Sequence, residues 1–259
     1  LASHFAYADP IVYPGQARTG HLHMFFGNTG ANGSSTYASL RSSGNGTCRG
    51  GIANRSAYWV PALLDGSGSP QVPELIHVYY KSGYEISNAS DVSVIPDGFK
   101  MIVGDAMATE PQSLKKNGRK DVFWQCNGHM SESIGDCYGE LTMTINFQQC
   151  STGELDSADH KSHVRPAQNG ACSNPDFPVT LPVITYQVIF KVNGTADWRL
   201  SSDMYPVSNG NGGYSLHGDW MDGWDPEIKR TWTEHCTRQR GTSCGSHILG
   251  DGRVIFGEV

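Results

Sequence analysis

The chain has 259 residues, a formal net charge of −6, 38% hydrophobic and 17% charged residues, 31 glycines and 13 prolines. That length can bury a sizeable core as one domain, and low charge with many turn formers excludes a disordered or mainly helical chain. The negative balance argues against nucleic acid or an anionic membrane as partner, and no apolar run is long enough for membrane insertion as a helix.

In chain order, short runs rich in Val, Ile, Tyr and Phe occur at residues 21–26, 57–64, 75–80, 100–103, 141–147, 183–192 and 253–256. Gly, Pro, Asn or Asp bound them, which is the pattern of strands. The Gly/Ser/Asn-rich stretch 27–51 reads as a long surface loop. The best helix candidate is 226–236, with Asp225 as N-cap and Pro226 at the first helical position. Many short strands and little helix predict one mainly β domain over residues 1–259, a β-sandwich or jelly roll with long loops.

The cysteines are Cys48, Cys126, Cys137, Cys150, Cys172, Cys236 and Cys244, with no Cys-x-x-Cys pair. Proximity in sequence suggests Cys126–Cys137, Cys150–Cys172 and Cys236–Cys244, leaving Cys48 over. Asn32, Asn45, Asn54, Asn88 and Asn193 each open an Asn-x-Ser/Thr sequon. These features favour an oxidising, extracellular compartment for a mature, secreted monomer.

Three segments carry titratable groups. His21 and His23 sit two apart, so on a strand both imidazoles point to one face while Leu22, Met24 and Phe26 take the other. Two half-buried structural histidines are the plainer reading. Neutral imidazole is also the commonest metal ligand, and the pair could hold one divalent ion such as zinc, copper or calcium. Asp156, Asp159, His160 and His163 crowd the loop between Cys150 and Cys172, where turn capping competes with catalysis. His217 and Asp219 again lie two apart, beside Trp220 and Trp224, either a tryptophan-anchored turn or a saccharide subsite. Motifs for metalloproteases, serine hydrolases, nucleotide phosphates and EF-hand calcium are missing.

Asp9-Pro10-Ile11-Val12-Tyr13-Pro14-Gly15, His21-x-His23, Tyr58-Trp59-Val60-Pro61, Gly104-Asp105, Asp159-His160-x-x-His163, His217-Gly218-Asp219 and Gly223-Trp224 follow one another in order. This string resembles a family of secreted fungal and bacterial proteins defined as a domain of unknown function. Its members are often fused to glucan-binding WSC modules or other carbohydrate-binding domains. The likeness runs from about His4 to Cys236; Ser151-Thr152 departs from it where a Trp-Asp pair is expected.

The resemblance implies a carbohydrate context, with a polysaccharide or cell-wall glycan as partner. The leading expectation is a secreted glycoside hydrolase in which Asp159, Asp219, His160 and His217 are catalytic. His21, His23, His163, Trp220, Trp224 and Trp59 would bind substrate. The alternatives are a lyase eliminating across a uronate with a histidine base, a zinc or copper enzyme, and a non-catalytic wall-binding module. The leading reading requires His21, His23, Asp159, His160, His163, His217 and Asp219 to line one cleft.

Overall fold

The structure, a computed structural model, describes residues 1–82, 85–112, 121–194, 197–239, 244–245 and 247–255. Ten strands form two antiparallel sheets. The first has the order Ala2–Ala6, His23–Gly27, Ala57–Pro61, His217–Met221, Lys100–Gly104. The second has the order Leu75–Lys81, Val183–Asn193, Tyr138–Asn146, Val122–Cys126, His129–Ser131. Alternation along each strand decides what faces inward. Phe26, Tyr58, Val60, Met101 and Trp220 of the first sheet pack against Leu141, Met143, Ile145, Tyr186 and Val188 of the second. The molecule is mainly β and sandwich-like, as its strand pattern predicts.

The alternate residues of these strands point the other way. Phe25, Trp59, Ile102 and Met221 form a second apolar cluster with Ala8, Ile11, Ala31 and Leu40. The outer face of this sheet is therefore roofed by the N-terminal loop and the following segment. This covered face carries the candidate site.

The stretch 27–51 is more ordered than its composition suggests, because it holds the helix Tyr37–Ser42 and the buried side chain of Asn28. The Asn28 amide lies within hydrogen-bond reach of the Leu40, Ser43 and Arg55 carbonyls and accepts from Gly30 N–H. One buried amide thus anchors what apolar burial alone would not. The run 57–64 breaks at Ala62, beyond which Leu63–Leu64 pairs with Arg199–Leu200. The strand expected at 253–256 does not form: Val254 makes only an isolated bridge to Ile248, and Phe256 lies outside the described residues. The predicted helix is α-helical over Pro226–Trp232, capped by Asp225, and widens into a π-helical turn over Thr233–Thr237. All three expected disulfides form, and Cys48 is free. The Asn54 sequon is buried, its amide donating to Tyr58 Oη at 2.7 Å, so this site is closed to a glycan.

Candidate metal centre

Sheet register brings the histidines together. His23 opens its strand opposite Pro61, and Asp219 stands opposite Trp59 on the other side of the same strand. Two residues along, His217 comes level with Pro61, so both imidazoles project over the proline from the outer face. His21 precedes the strand rather than lying on it, yet its ring packs 4.2 Å from that of His23 and 4.9 Å from that of His217. Gly104 is opposite His217 with φ +84°, and a Cβ there would lie 2.8 Å from His217 Cα. Glycine thus permits the close backbone approach at this end of the strand.

Hydrogen bonds fix the tautomers of two rings. His23 Nδ1 lies 2.9 Å from the Ala8 carbonyl and His217 Nδ1 lies 2.7 Å from the Ser215 carbonyl. A carbonyl only accepts, so each Nδ1 carries the hydrogen and each Nε2 presents a lone pair. Metal-binding histidines are commonly oriented this way, by an N–H held on a carbonyl behind the ring. His21 Nε2 is 3.1 Å from His217 Nε2. One ligand nitrogen from each of His21, His23 and His217 fits within a mutual 4.8 Å. For metal–nitrogen bonds near 2.0–2.1 Å, a tetrahedral edge is about 3.3 Å. The donor set therefore fits a zinc-like ion after a small inward shift.

Among the described residues, two titratable groups of the site are buried and unsatisfied. His23 Nε2 and both carboxylate oxygens of Asp219 have no hydrogen-bond partner. Asp219 is buried on the same face as His217, and burial, with the Asp9 charge nearby, pushes its carboxyl well above the ordinary range. A buried, unpartnered carboxyl is expensive, and a cation close by would relieve it. Asp219 stands outside the mutual 4.8 Å set, beside the ligands rather than among them.

Burial pushes His21 down to about 4 and His217 to about 3, and lowers His23 as well. All three are neutral at pH 7, the state a metal requires. In the metal-free protein the unfolded chain takes up these protons first, near the ordinary value of 6.5. Stability should then be complete above about pH 6.5 and fall as pH drops toward the folded values, by about 1.4 kcal/mol per pH unit for each imidazole. Buried carboxyls such as Asp219, raised above their ordinary values, give a slope of opposite sign. The check is therefore denaturant unfolding of chelator-treated wild type and His217→Ala between pH 7 and 4. The loss should be steeper in wild type, and equal slopes would show that this ring is not held neutral.

The Asp156–His163 loop docks beside the site but is organised for structure. It runs along the free edge of the strand Lys100–Gly104, with Lys100 N–H donating to the Leu155 carbonyl and Ile102 N–H to that of His160. Asp159 is exposed and accepts from the backbone N–H groups of Lys161 and Ser162 and from the hydroxyls of Ser157 and Ser162. Those bonds hold its carboxyl far below the usual carboxylate range, which suits a turn cap and not a proton donor. His160 pairs with Asp156 at 2.9 Å, and Asp156 also meets Lys100 at 3.0 Å. His163 is buried against Phe99, with Nε2 2.8 Å from the Lys100 carbonyl and Nδ1 2.9 Å from Ser157 Oγ. Of the seven residues expected in one cleft, His21, His23, His217 and Asp219 gather, whereas Asp159, His160 and His163 are committed elsewhere.

The tryptophans also differ from the expected sugar platform. Trp220 and Trp224 lie in the inter-sheet core and Trp59 under the N-terminal cover, all buried. No ring face among the three is free to stack on a saccharide. Asp9 and Lys161 join the surroundings of the site although nothing in their sequence spacing marks them as site residues. Asp9 is buried next to the Ala8 carbonyl that orients His23, and its charge reaches Asp219. Lys161 Nζ donates to the Gly104 carbonyl at 2.6 Å, and its charge is felt at His217 and Asp219. The place of Asp9 at the head of the ordered motif string is the available signal.

Fold and site together define a disulfide-bonded β-sandwich protein with a candidate three-histidine metal centre on the covered face of one sheet. By sequence the chain belongs to the family described as domain of unknown function DUF1996, whose model matches residues 9–224. No curated protein and no solved structure matches the chain.

Proposed function

We propose that this protein is a secreted, metal-dependent hydrolase that cleaves glycosidic bonds in a polysaccharide. The observation that carries the metal is the convergence of three neutral imidazoles with two Nδ1–H groups turned back onto carbonyls, next to an unpartnered Asp219. Three protein ligands and an open fourth position are the pattern of catalytic zinc, which supplies a Lewis acid and a water of lowered pKa when bound. The chain's own contribution follows from its geometry. His21, His23 and His217 hold the ligand nitrogens, the roof over the sheet restricts water, and Asp219 takes or returns a proton at its carboxylate oxygens. The polysaccharide rests on the likeness to secreted proteins linked to glucan-binding modules.

Lys161 beside the site favours one second reading, elimination on a uronate polysaccharide, with this ammonium facing the sugar carboxylate. Both readings are separated by one experiment. Chelator-treated protein is reloaded with zinc, copper or calcium and incubated with a panel of neutral and acidic glycans. Metal-dependent products that have gained water are expected. Unsaturated ends would replace hydrolysis by elimination, and cleavage undiminished in metal-free protein would remove the metal from the mechanism.

A further inference from the structure

Away from this site, the opposite end of the strand His217–Met221 holds a second group of reactive side chains. Lys229, on the helix Pro226–Trp232, is fully buried at its side chain. Its Nζ lies 2.6 Å from Asp222 Oδ2 and 2.7 Å from Asp97 Oδ1. The Asp222 side chain is fully buried too, while that of Asp97 is 49% exposed. A fully buried lysine is rare, and dehydrating both members of an ion pair is costly. Burial pushes the Asp222 carboxyl above its ordinary value, and an amine nitrogen held 2.6 Å from a carboxyl oxygen is placed for amide formation.

Two backbone donors face the same carboxyl. Gly98 N–H donates to Asp222 Oδ2 and Trp224 N–H to Oδ1, both at 3.2 Å. Donors so placed stabilise the oxyanion of a tetrahedral intermediate at Asp222 Cγ. A nucleophile, an electrophilic carbon, oxyanion donors and a second carboxylate to carry the proton are thus assembled in one place.

We propose that Lys229 and Asp222 become joined by an intramolecular isopeptide bond, with Asp97 as the proton shuttle. Asp97 takes a proton from the Lys229 ammonium, and the freed Nζ lone pair attacks Cγ of the protonated Asp222. A C–N bond forms, and Asp97 returns its proton to the C–OH oxygen so that this bond breaks and one water leaves past the half-exposed Asp97. The surplus proton on the new amide nitrogen passes to the Asp97 carboxylate. No oxidant or co-reactant is required. The bond ties the helix to the end of the site-bearing strand across seven positions of chain.

Intact-mass measurement of the reduced, denatured wild-type protein tests this directly. The expected mass is about 18 Da below that of the sequence, the loss of one water. Trypsin should fail to cut after Lys229, and the peptide spanning both residues should give no fragment ions between 222 and 229. Asp97→Ala should return the full mass with an unchanged circular dichroism spectrum. Wild-type protein of full sequence mass, cut normally after Lys229, overturns the proposal and leaves an ion pair. A deficit that hydroxylamine converts into cleavage at Asp222–Gly223 marks a succinimide and overturns it as well. A bond that persists in Asp97→Ala removes Asp97 from the step.

Discussion

His217→Ala is expected to abolish tight binding of a transition metal while the sandwich stays folded. Wild type should retain about one ion per chain after exhaustive dialysis, as a site of three directional nitrogen ligands would. His217 is one of the two rings whose tautomer is fixed by a backbone carbonyl, so it enters the site pre-oriented. Losing an outer partner that orients a metal-bound histidine already costs about 10- to 100-fold in affinity. Removing a ligand outright should exceed the upper end of that range. The strand should tolerate the change, since the inward contacts to the core are made by Trp220 and the close approach by Gly218. Elemental analysis and competition with a chromogenic chelator give the affinity. Equal metal content in wild type and His217→Ala would show that the three histidines are not the site.

Asp219→Asn should separate metal binding from chemistry. Asparagine keeps the shape of the side chain but cannot carry the proton, and Asp219 stands outside the three-nitrogen set. Metal content should therefore be close to wild type, while turnover on a glycan that wild type cleaves falls about a hundred- to ten-thousand-fold, as for loss of a general acid or base. Thermal stability should not fall, because the carboxyl replaced is buried without a hydrogen bond. Asp159→Asn is the informative contrast. Its carboxylate caps an exposed turn through bonds to Lys161, Ser162 and Ser157, so the variant should keep most of its activity. If Asp219→Asn turns over like wild type, or Asp159→Asn is the inactive one, the roles assigned to the two carboxylates are reversed.

The sequence by itself determined the class of fold, the disulfide pairing and one edge of the site. Strand alternation is a local property, so runs such as 183–192 and 141–147 were legible without any partner. The cysteine pairs were legible because each closes a short loop, the longest spanning 22 residues. His21 and His23 were recognisable as a pair because two-residue spacing nearly fixes a shared face. Only the tertiary structure decided the rest. His217 is 196 residues from His21, and sheet register, which no single strand encodes, sets it beside the first two. The tryptophans near the motifs were ambiguous because an aromatic next to polar residues suits a core as well as a platform. Alternation with Asp219 turned Trp220 inward, and the roof closed over Trp59. Asp159 and Asp219 look alike in sequence, each beside a histidine in a polar motif. What separates them is where backbone N–H groups point: two converge on Asp159, and among the described residues none reaches Asp219, which leaves that carboxyl buried with its hydrogen-bonding capacity unspent.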